Sequence, residues 1–460
     1  MKAIAKRTFF DRSIFTIKSS VGAVSLFSLM LPLLFESIMN SLQGTVNTAI
    51  LSGYSENAAA AVGAANTVIN VILLFGTVIA MGSTIVISNS IGAENIKKAS
   101  EISFTAILVS IFFAFVITPV MLLASGGILR QMNLDGEIYE NALIYFRIRL
   151  CFFSVQSAMS VLLALLKCYG YPKYTFLIGL LTNAINLLLN IYVIHFPQIS
   201  PVTGVSGVAL ACCCANIIGL IATIVIIKNT GIKLKKPCKI KTVLNDAGGI
   251  LKLGIPSGLS SVSFTLSQMI TTSFVALLGD SALSAKVYFT NILSYVYLFS
   301  FSAGSANALL IGRRYGAGEF ELADKMNMQL TRLTRIANLI ISLTVIALRR
   351  QLLGLFTGSE AIIAISLGIF AADIVTEQAR AISHVYEYAL RAAGDVFFSM
   401  VILIISCWTF SIGLAYILAI KCGLGLIGCW IGLAVDESVR AAVTYLRWKC
   451  GKWKYRYKQL

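Results

Sequence analysis

Twelve apolar runs, most of them 20 residues or longer, recur along the chain. A helix needs about 20 mostly apolar residues to cross the hydrocarbon core of a bilayer. The chain is 57% hydrophobic and only 12% charged, which is typical of that class. We therefore predict an all-α integral membrane protein with twelve transmembrane helices. The predicted spans are 19–51, 59–90, 102–125, 141–167, 174–195, 206–227, 250–278, 285–312, 333–354, 361–390, 396–420 and 425–447.

The net charge of +17 raises the question of a nucleic-acid partner, but its distribution predicts a different cause. Basic residues concentrate in the loops on one side of the predicted spans and at both termini. Cytoplasmic loops of membrane proteins carry this excess of Lys and Arg. We therefore expect the cytoplasmic membrane, both termini in the cytoplasm, and no nucleic-acid partner. The basic segments are the N-terminus, Lys97-Lys98, residues 228–241, Arg313-Arg314 and the C-terminal tail.

An internal repeat links the two halves of the chain. A shift of 224 residues brings matching residues into register, and the two glycines Gly92 and Gly316 are each interpreted as a helix stop. The sequence predicts two pseudo-symmetric six-helix lobes: an N-lobe (1–227), a basic cytoplasmic linker (228–249) and a C-lobe (250–460). Because six is even, both lobes enter the membrane from one side, as in transporters that work by alternating access. The matching pairs are Pro32 with Pro256, Gly92 with Gly316, Lys167 with Arg391, and Gly170 with Gly394.

A polar stripe runs along the first span, with spacings of 4, 3 and 4 that place its residues on one helical face. Glu36 has no basic residue within two turns on its own helix, so we predict that it binds and releases a coupling cation, with a packing role as the other interpretation. In the second half the stripe is matched only by hydroxyls, at Ser260, Ser267 and Thr271. The stripe consists of Glu36, Asn40, Gln43 and Asn47.

A second stripe, in the tenth span, is charged. It contains Asp373, Glu377, Arg380, His384, Glu387 and Arg391, again on one face. Unpaired charges near mid-bilayer cost about 2.5–3.5 kcal/mol each, so an unpaired set would not be tolerated; Arg380 can pair with Glu377, and His384 can reach Glu387 or Arg380. Glu377 and Asp373 are candidates for cation coupling. In the twelfth span, Asp436, Glu437 and Arg440 are interpreted as a structural ion-pair network.

Two other spans contribute amides that could line a cavity, Gln156 and Asn186. The sequence has no GxxxxGKS loop, no His/Glu zinc pattern and no nucleophile beside a base. We therefore predict a transporter without enzymatic activity, whose one cofactor-like requirement is a coupling Na⁺ or H⁺. A membrane-embedded enzyme is the weakest of the alternatives.

At these residues the chain resembles the multidrug and toxic compound extrusion (MATE) family, bacterial type. The resemblance implies a V-shaped pair of six-helix lobes that exports drugs or organic cations in exchange for Na⁺ or H⁺. Many members carry Asp at the position of Asn47, and some carry an acid near Phe264, so coupling at both positions is in doubt here. The matching segments are LPLLFE to AAAAVGAAN, GSTIVISNSIGAEN, LKLGIPSGL, EQARAI, ALRAAGD, and GLGLIGCWIGLAVDESVRAAVTYLRWKCGKW.

Two main hypotheses follow, and both predict a monomer in the bilayer. The first is a secondary antiporter whose substrate is a small amphipathic cation and whose cavity includes the polar residues above with Arg380. The second is a lipid-linked oligosaccharide flippase, which would need a cationic cavity formed by Arg149, Arg380 and Arg440. A scaffold that has lost ion coupling is also consistent with Asn47.

Overall fold

The computed structural model describes residues 12–19, 22–132, 134, 136–196, 198 and 202–454. Nine helices in these residues are long and apolar enough to cross a membrane, and a bent pair makes a tenth span. Two further long helices, α8 and α14, bring the total close to the twelve predicted. The helices are α1 Leu26–Tyr54, α2 Glu56–Gly92, α3 Ile96–Arg130, α4 Gly136–Cys151, α5 Phe153–Cys168, α6 Pro172–His195, α7 Gly204–Asn229, α8 Ile240–Ala276, α9 Asp280–Gly316, α10 Phe320–Ala347, α11 Arg349–Gly354, α12 Glu360–Ala392, α13 Val396–Ser406 and α14 Gly425–Lys449.

Two π-helical segments, Cys407–Leu414 and Ile417–Lys421, extend α13 toward the next turn. The fourth predicted span is not one straight helix, because α4 and α5 meet at an angle of 53°. The ninth predicted span (333–354) is wrong at its start, since α10 begins at Phe320. Its first turns carry Glu321, Asp324 and Lys325, and these charges hide the helix from a search for apolar runs.

The start of the first predicted span (19–51) is also wrong. The strands β1 (Thr16–Ser19) and β2 (Gly22–Ser25) pair antiparallel, and α1 begins only at Leu26. Ser25 and Ser28 form reciprocal hydrogen bonds at the start of α1. The Ser28 amide donates to Ser25 Oγ at 3.3 Å, and the Ser25 amide donates to Ser28 Oγ at 3.1 Å. Such reciprocal bonds cap the free amides of a first helical turn.

The predicted repeat is visible in two helix ends. Gly170 follows α5 and Gly394 follows α12, with φ of +90° and +80°. In both, the residue after the glycine donates its amide to a carbonyl five positions back, at 2.9 Å and 2.8 Å respectively. This left-handed cap favours glycine because it has no Cβ.

The described residues pack into two compact units. The C-terminal unit comprises Met1–Leu31, Ser88–Glu94 and Ser263–Leu460, and the N-terminal unit comprises Pro32–Ile87 and Asn95–Val262. The predicted lobe and linker boundaries stay a prediction. Each unit has its own apolar core: Phe146 and Phe153 are buried in the N-terminal unit, and Phe289, Phe370 and Trp430 in the C-terminal unit.

Gly92 and Gly316 do end their helices, and they also allow two helices to touch. A Cβ placed on Gly92 would collide with the carbonyl oxygen of Arg313, and one on Gly316 with that of Asn89. All four residues belong to the C-terminal unit. The repeated glycine is therefore needed where the ends of α2 and α9 cross, as well as for the helix stop.

Candidate functional site

The C-terminal unit encloses a cavity of about 260 Å³ between α8, α9, α12, α14 and the π-helical extension of α13. Apolar atoms make up most of the wall surface, although eight of the fourteen described lining residues, Thr290 and Ser294 among them, have polar or charged side chains. Thr271, Asp373 and Arg380, all predicted from the sequence, face this cavity. The other lining residues include Phe264, Gln268, Lys286, Leu293, Tyr297, Ser411, Cys429, Trp430 and Leu433.

Asp373 is the carboxylate at the cavity wall. It is 3% exposed, and its Oδ2 has no hydrogen-bond partner among the described residues. The ion pairs formed by the described residues do not include it either. A buried carboxylate without an ion pair is costly in a bilayer, and a proton or a nearby cation lowers that cost.

Behind Asp373 lies a buried network in which five charged residues of α12 and α14 meet. Arg380 pairs with Glu377, as predicted, and its Nε donates to Glu437 at 3.2 Å. Arg440 forms ion pairs with both acids of α14: its Nη2 lies 2.5 Å from Glu437 Oε1 and 3.3 Å from Asp436 Oδ2. The two arginines are thus bridged by one glutamate, and the two helices are held together by charge.

Neutral groups complete this network. Asn338 on α10 donates to Glu377 Oε2 at 3.0 Å and to Ser300 Oγ at 2.6 Å. Ser411 donates to Asp436 at 2.9 Å. His384 does not make the predicted contact with Glu387 or Arg380, because its ring packs edge-on against Tyr297 with the centroids 5.4 Å apart.

Sequence reasoning missed Lys286 and Tyr297, which α9 places in the same cavity. Lys286 is 9% exposed, and its ammonium donates to Thr272 Oγ1 at 2.6 Å. The Arg380 guanidinium lies 5.0 Å from the centre of the Tyr297 ring. A single lysine inside an apolar span is itself a signal of function, and it was present in the predicted eighth span.

The charges of this cluster do not balance. Four carboxylates (Asp373, Glu377, Asp436 and Glu437) face three cations (Lys286, Arg380 and Arg440). With all seven ionised, the cluster carries one excess negative charge. Asp373 and Lys286 are the two members of the cluster that have no ion pair among the described residues.

In the N-terminal unit, Glu36 has a cation after all. Lys167, at the end of α5, donates to Glu36 Oε1 at 2.8 Å, and Thr175 of α6 donates to Oε2 at 2.9 Å. The Glu36 and Lys167 side chains are 17% and 25% exposed. The partner that its own helix lacks is therefore supplied by a neighbouring helix.

Two further members of the first stripe, Gln43 and Asn47, form an amide ladder with α6. Gln43 donates to Asn186 at 3.3 Å, and Asn190 donates to both Asn47 and Asn186 at 3.3 Å. Asn40, the other member of the stripe, is exposed. Interhelical amide bonds of this kind hold membrane helices together at about 0.6 kcal/mol each.

The remaining predicted residues form hydrogen bonds within their own helix or with a neighbouring segment. Gln156 accepts from Arg149 at 3.2 Å and is not part of the ladder. Ser260 and Ser267 both donate to carbonyls of their own helix. Thr271 donates to the carbonyls of Ser267 and Ser411, at 2.8 and 3.1 Å, which ties α8 to the π-helical segment.

Comparison with known proteins agrees with this architecture. The MatE family model matches residues 32–193 and 256–417, two segments offset by 224 residues, which confirms the internal repeat. The chain is 35% identical over 431 residues to a protein of Bacillus subtilis named as an uncharacterized transporter, YisQ, covering 93% of this chain and 94% of that one. It is 28% identical to a Thermotoga maritima protein named "Probable multidrug resistance protein NorM", covering 94% and 93%.

Among solved structures, the fold is similar to that of a MATE protein crystallised in complex with MaL6. The TM-score is 0.85 at 21% identity, and the match covers 95% of this chain and 97% of that one. The family model matches both halves of the chain, and the fold extends over nearly all of it. This chain is therefore a member of the MatE family, a bacterial-type MATE transporter built from two repeats in the membrane.

Proposed function

We propose that this protein is a secondary antiporter that exports small amphipathic cations across the cytoplasmic membrane in exchange for H⁺ or Na⁺. The observation that carries the proposal is Asp373, a buried carboxylate without an ion pair in a mostly apolar, aromatic cavity. Such a wall accepts the apolar part of a drug, and the single excess negative charge accepts one cation. The multidrug resistance name of the Thermotoga maritima relative supports the same class of cargo.

Coupling follows if the ion and the drug compete for that one charge. A cation bound at Asp373 in one conformation must leave in the other, because an ion with equal affinity for both conformations shifts neither. Glu377 stands one turn further along α12 and can share the proton or ion through the network with Arg380. Glu36 is paired with Lys167, so it takes part only if that ion pair opens.

The flippase alternative would need cations free to bind a pyrophosphate. Arg380 and Arg440 are both neutralised by carboxylates, and Arg149 is bonded to Gln156 and Cys212. No contact of these three arginines favours that function over drug export. We also propose that the protein is a monomer and that both termini lie in the cytoplasm. The distribution of basic residues predicts this orientation.

The test is Asp373→Asn in proteoliposomes in which the pH and Na⁺ gradients are imposed separately and tetraphenylphosphonium is the transported probe. We expect gradient-driven transport to fall by at least about tenfold, since the amide cannot take up the coupling ion. Glu360→Gln, an exposed acid on the same helix, is the matched control and should transport like the wild type. Full gradient-driven transport by both Asp373→Asn and Glu377→Gln would exclude the assignment.

A further inference from the structure

A basic stripe lies on the exposed side of α10. Lys325, Arg332 and Arg335 are all exposed, and at 100° per residue they fall within about 80° of one another. Beside them a groove of about 460 Å³ runs between α10, α12 and α14 of the C-terminal unit. Its wall includes Met328, Thr331, Arg332, Arg335, Tyr386 and Tyr445.

The two arginines of this groove have no carboxylate partner among the described residues. Arg335 donates from Nε to the amide oxygen of Gln378 at 3.3 Å, and Arg332 contacts only the sulfur of Met328, at 3.8 Å. The acid next to the stripe, Asp324, is already bonded to Trp448 at 2.9 Å and to Lys449 at 3.3 Å. The groove is therefore a positively charged surface that lacks its counter-charge.

The groove also lies on a helix with the length and composition of a membrane span. Helix α10 is long and apolar enough to cross a membrane, and Arg332 is twelve residues, about 18 Å, from its first residue, Phe320. Tyr445 is four residues before the end of α14, is 41% exposed, and packs edge-on against Tyr386 with the centroids 5.3 Å apart. Tyrosines favour the interface between hydrocarbon and water, and a long arginine can reach toward it.

We propose that this groove binds the phosphate of an anionic phospholipid from the surrounding bilayer. Two guanidinium groups three residues apart can each present a planar pair of N–H donors to one phosphate. The apolar part of the groove, which includes Met328 and Ala379, lies beside them and receives the acyl chains. The proposal does not depend on the direction of transport or on the coupling ion.

The experiment is native mass spectrometry of the full chain, purified in detergent and mixed with phosphatidylglycerol or with phosphatidylcholine of the same acyl chains. We expect the wild type to retain phosphatidylglycerol at least about tenfold better, and Arg332→Gln/Arg335→Gln to lose that preference. Arg350→Gln, which removes an exposed arginine at the far end of α10 and α11, is the control and should keep it.

Equal retention of the two lipids by the wild type would overturn the proposal, and so would an unchanged preference in the double variant. Displacement of phosphatidylglycerol by millimolar inorganic phosphate would identify a site for soluble anions and would overturn the lipid assignment. If the double glutamine variant does not fold, Arg332→Lys/Arg335→Lys keeps both charges and removes both planar forks. The lysine pair should retain part of the preference, and full loss or full retention would both contradict the bidentate geometry.

Discussion

Replacing Lys286 by Met should tighten binding of the coupling ion. Lys286 is a positive charge in the same cavity as Asp373, so it competes with any cation that the carboxylate binds. A sphere with the cavity's volume of 260 Å³ is about 8 Å across, and we take that diameter as the separation of the two charges. Two unit charges about 8 Å apart interact by about 2 kcal/mol at an effective dielectric constant of about 20. A change of about 2 kcal/mol corresponds to about a 30-fold change in binding constant.

The assay is the concentration of Na⁺ or H⁺ that gives half-maximal exchange of tetraphenylphosphonium in proteoliposomes. Lys286→Met should lower that concentration by about 10- to 30-fold, and it should slow turnover because the ion then leaves less readily. Lys286→Arg keeps the charge and is the matched control, with half-saturation near that of the wild type.

In an Asp373→Asn background the effect of Lys286→Met on ion binding should vanish, since its interaction partner is gone. If Lys286→Met leaves half-saturation unchanged, or if its effect persists without the Asp373 carboxylate, the two residues are not coupled. Lys286 would then be only a packing residue bonded to Thr272.

Two further predictions concern stability, measured as thermal unfolding of the purified protein in detergent. Gly316→Ala should destabilise the fold by about 1–3 kcal/mol, because its Cβ collides with backbone; Gly53→Ala, where the space is open, should leave the midpoint unchanged, and equal effects would contradict the close approach. Lys167→Met should cost about 1 kcal/mol because it leaves the partly buried Glu36 carboxylate without its cation. Adding Glu36→Gln should recover part of that loss, and no recovery would mean that the ion pair contributes nothing.

Much of the scaffold could be predicted because it depends on local patterns. The apolar runs predicted the membrane class, and the 224-residue shift predicted a repeat that the family match confirms. Within α12 the pairing of Arg380 with Glu377 followed from a spacing of three residues. Patterns within one helix are visible in the sequence because helix geometry is regular.

Contacts between helices were not predictable in the same way. Glu36 and Lys167 are 131 residues apart, and Arg380 and Glu437 are 57 apart. Periodicity identifies the polar face of each helix but not which other helix that face meets. The pairing of β1 with β2 was missed for a related reason, since it is a contact between two segments, and neither segment carries an apolar period of 3.6 residues.

The acids of the two units are paired differently, and the proposed coupling site follows from that difference. In the N-terminal unit Glu36 meets Lys167 and Thr175, and the amide ladder beside it is neutral. In the C-terminal unit the arginines pair with Glu377, Asp436 and Glu437, so Asp373 has no ion pair among the described residues and shares its cavity with Lys286. A buried carboxylate that already has a cationic partner is stabilised little by a transported ion. For a carboxylate without an ion pair, binding of that ion offsets the free energy that its burial costs. Under the proposed mechanism the driving ion binds on α12, so the absence of an acid at Asn47 is no obstacle to ion-driven transport.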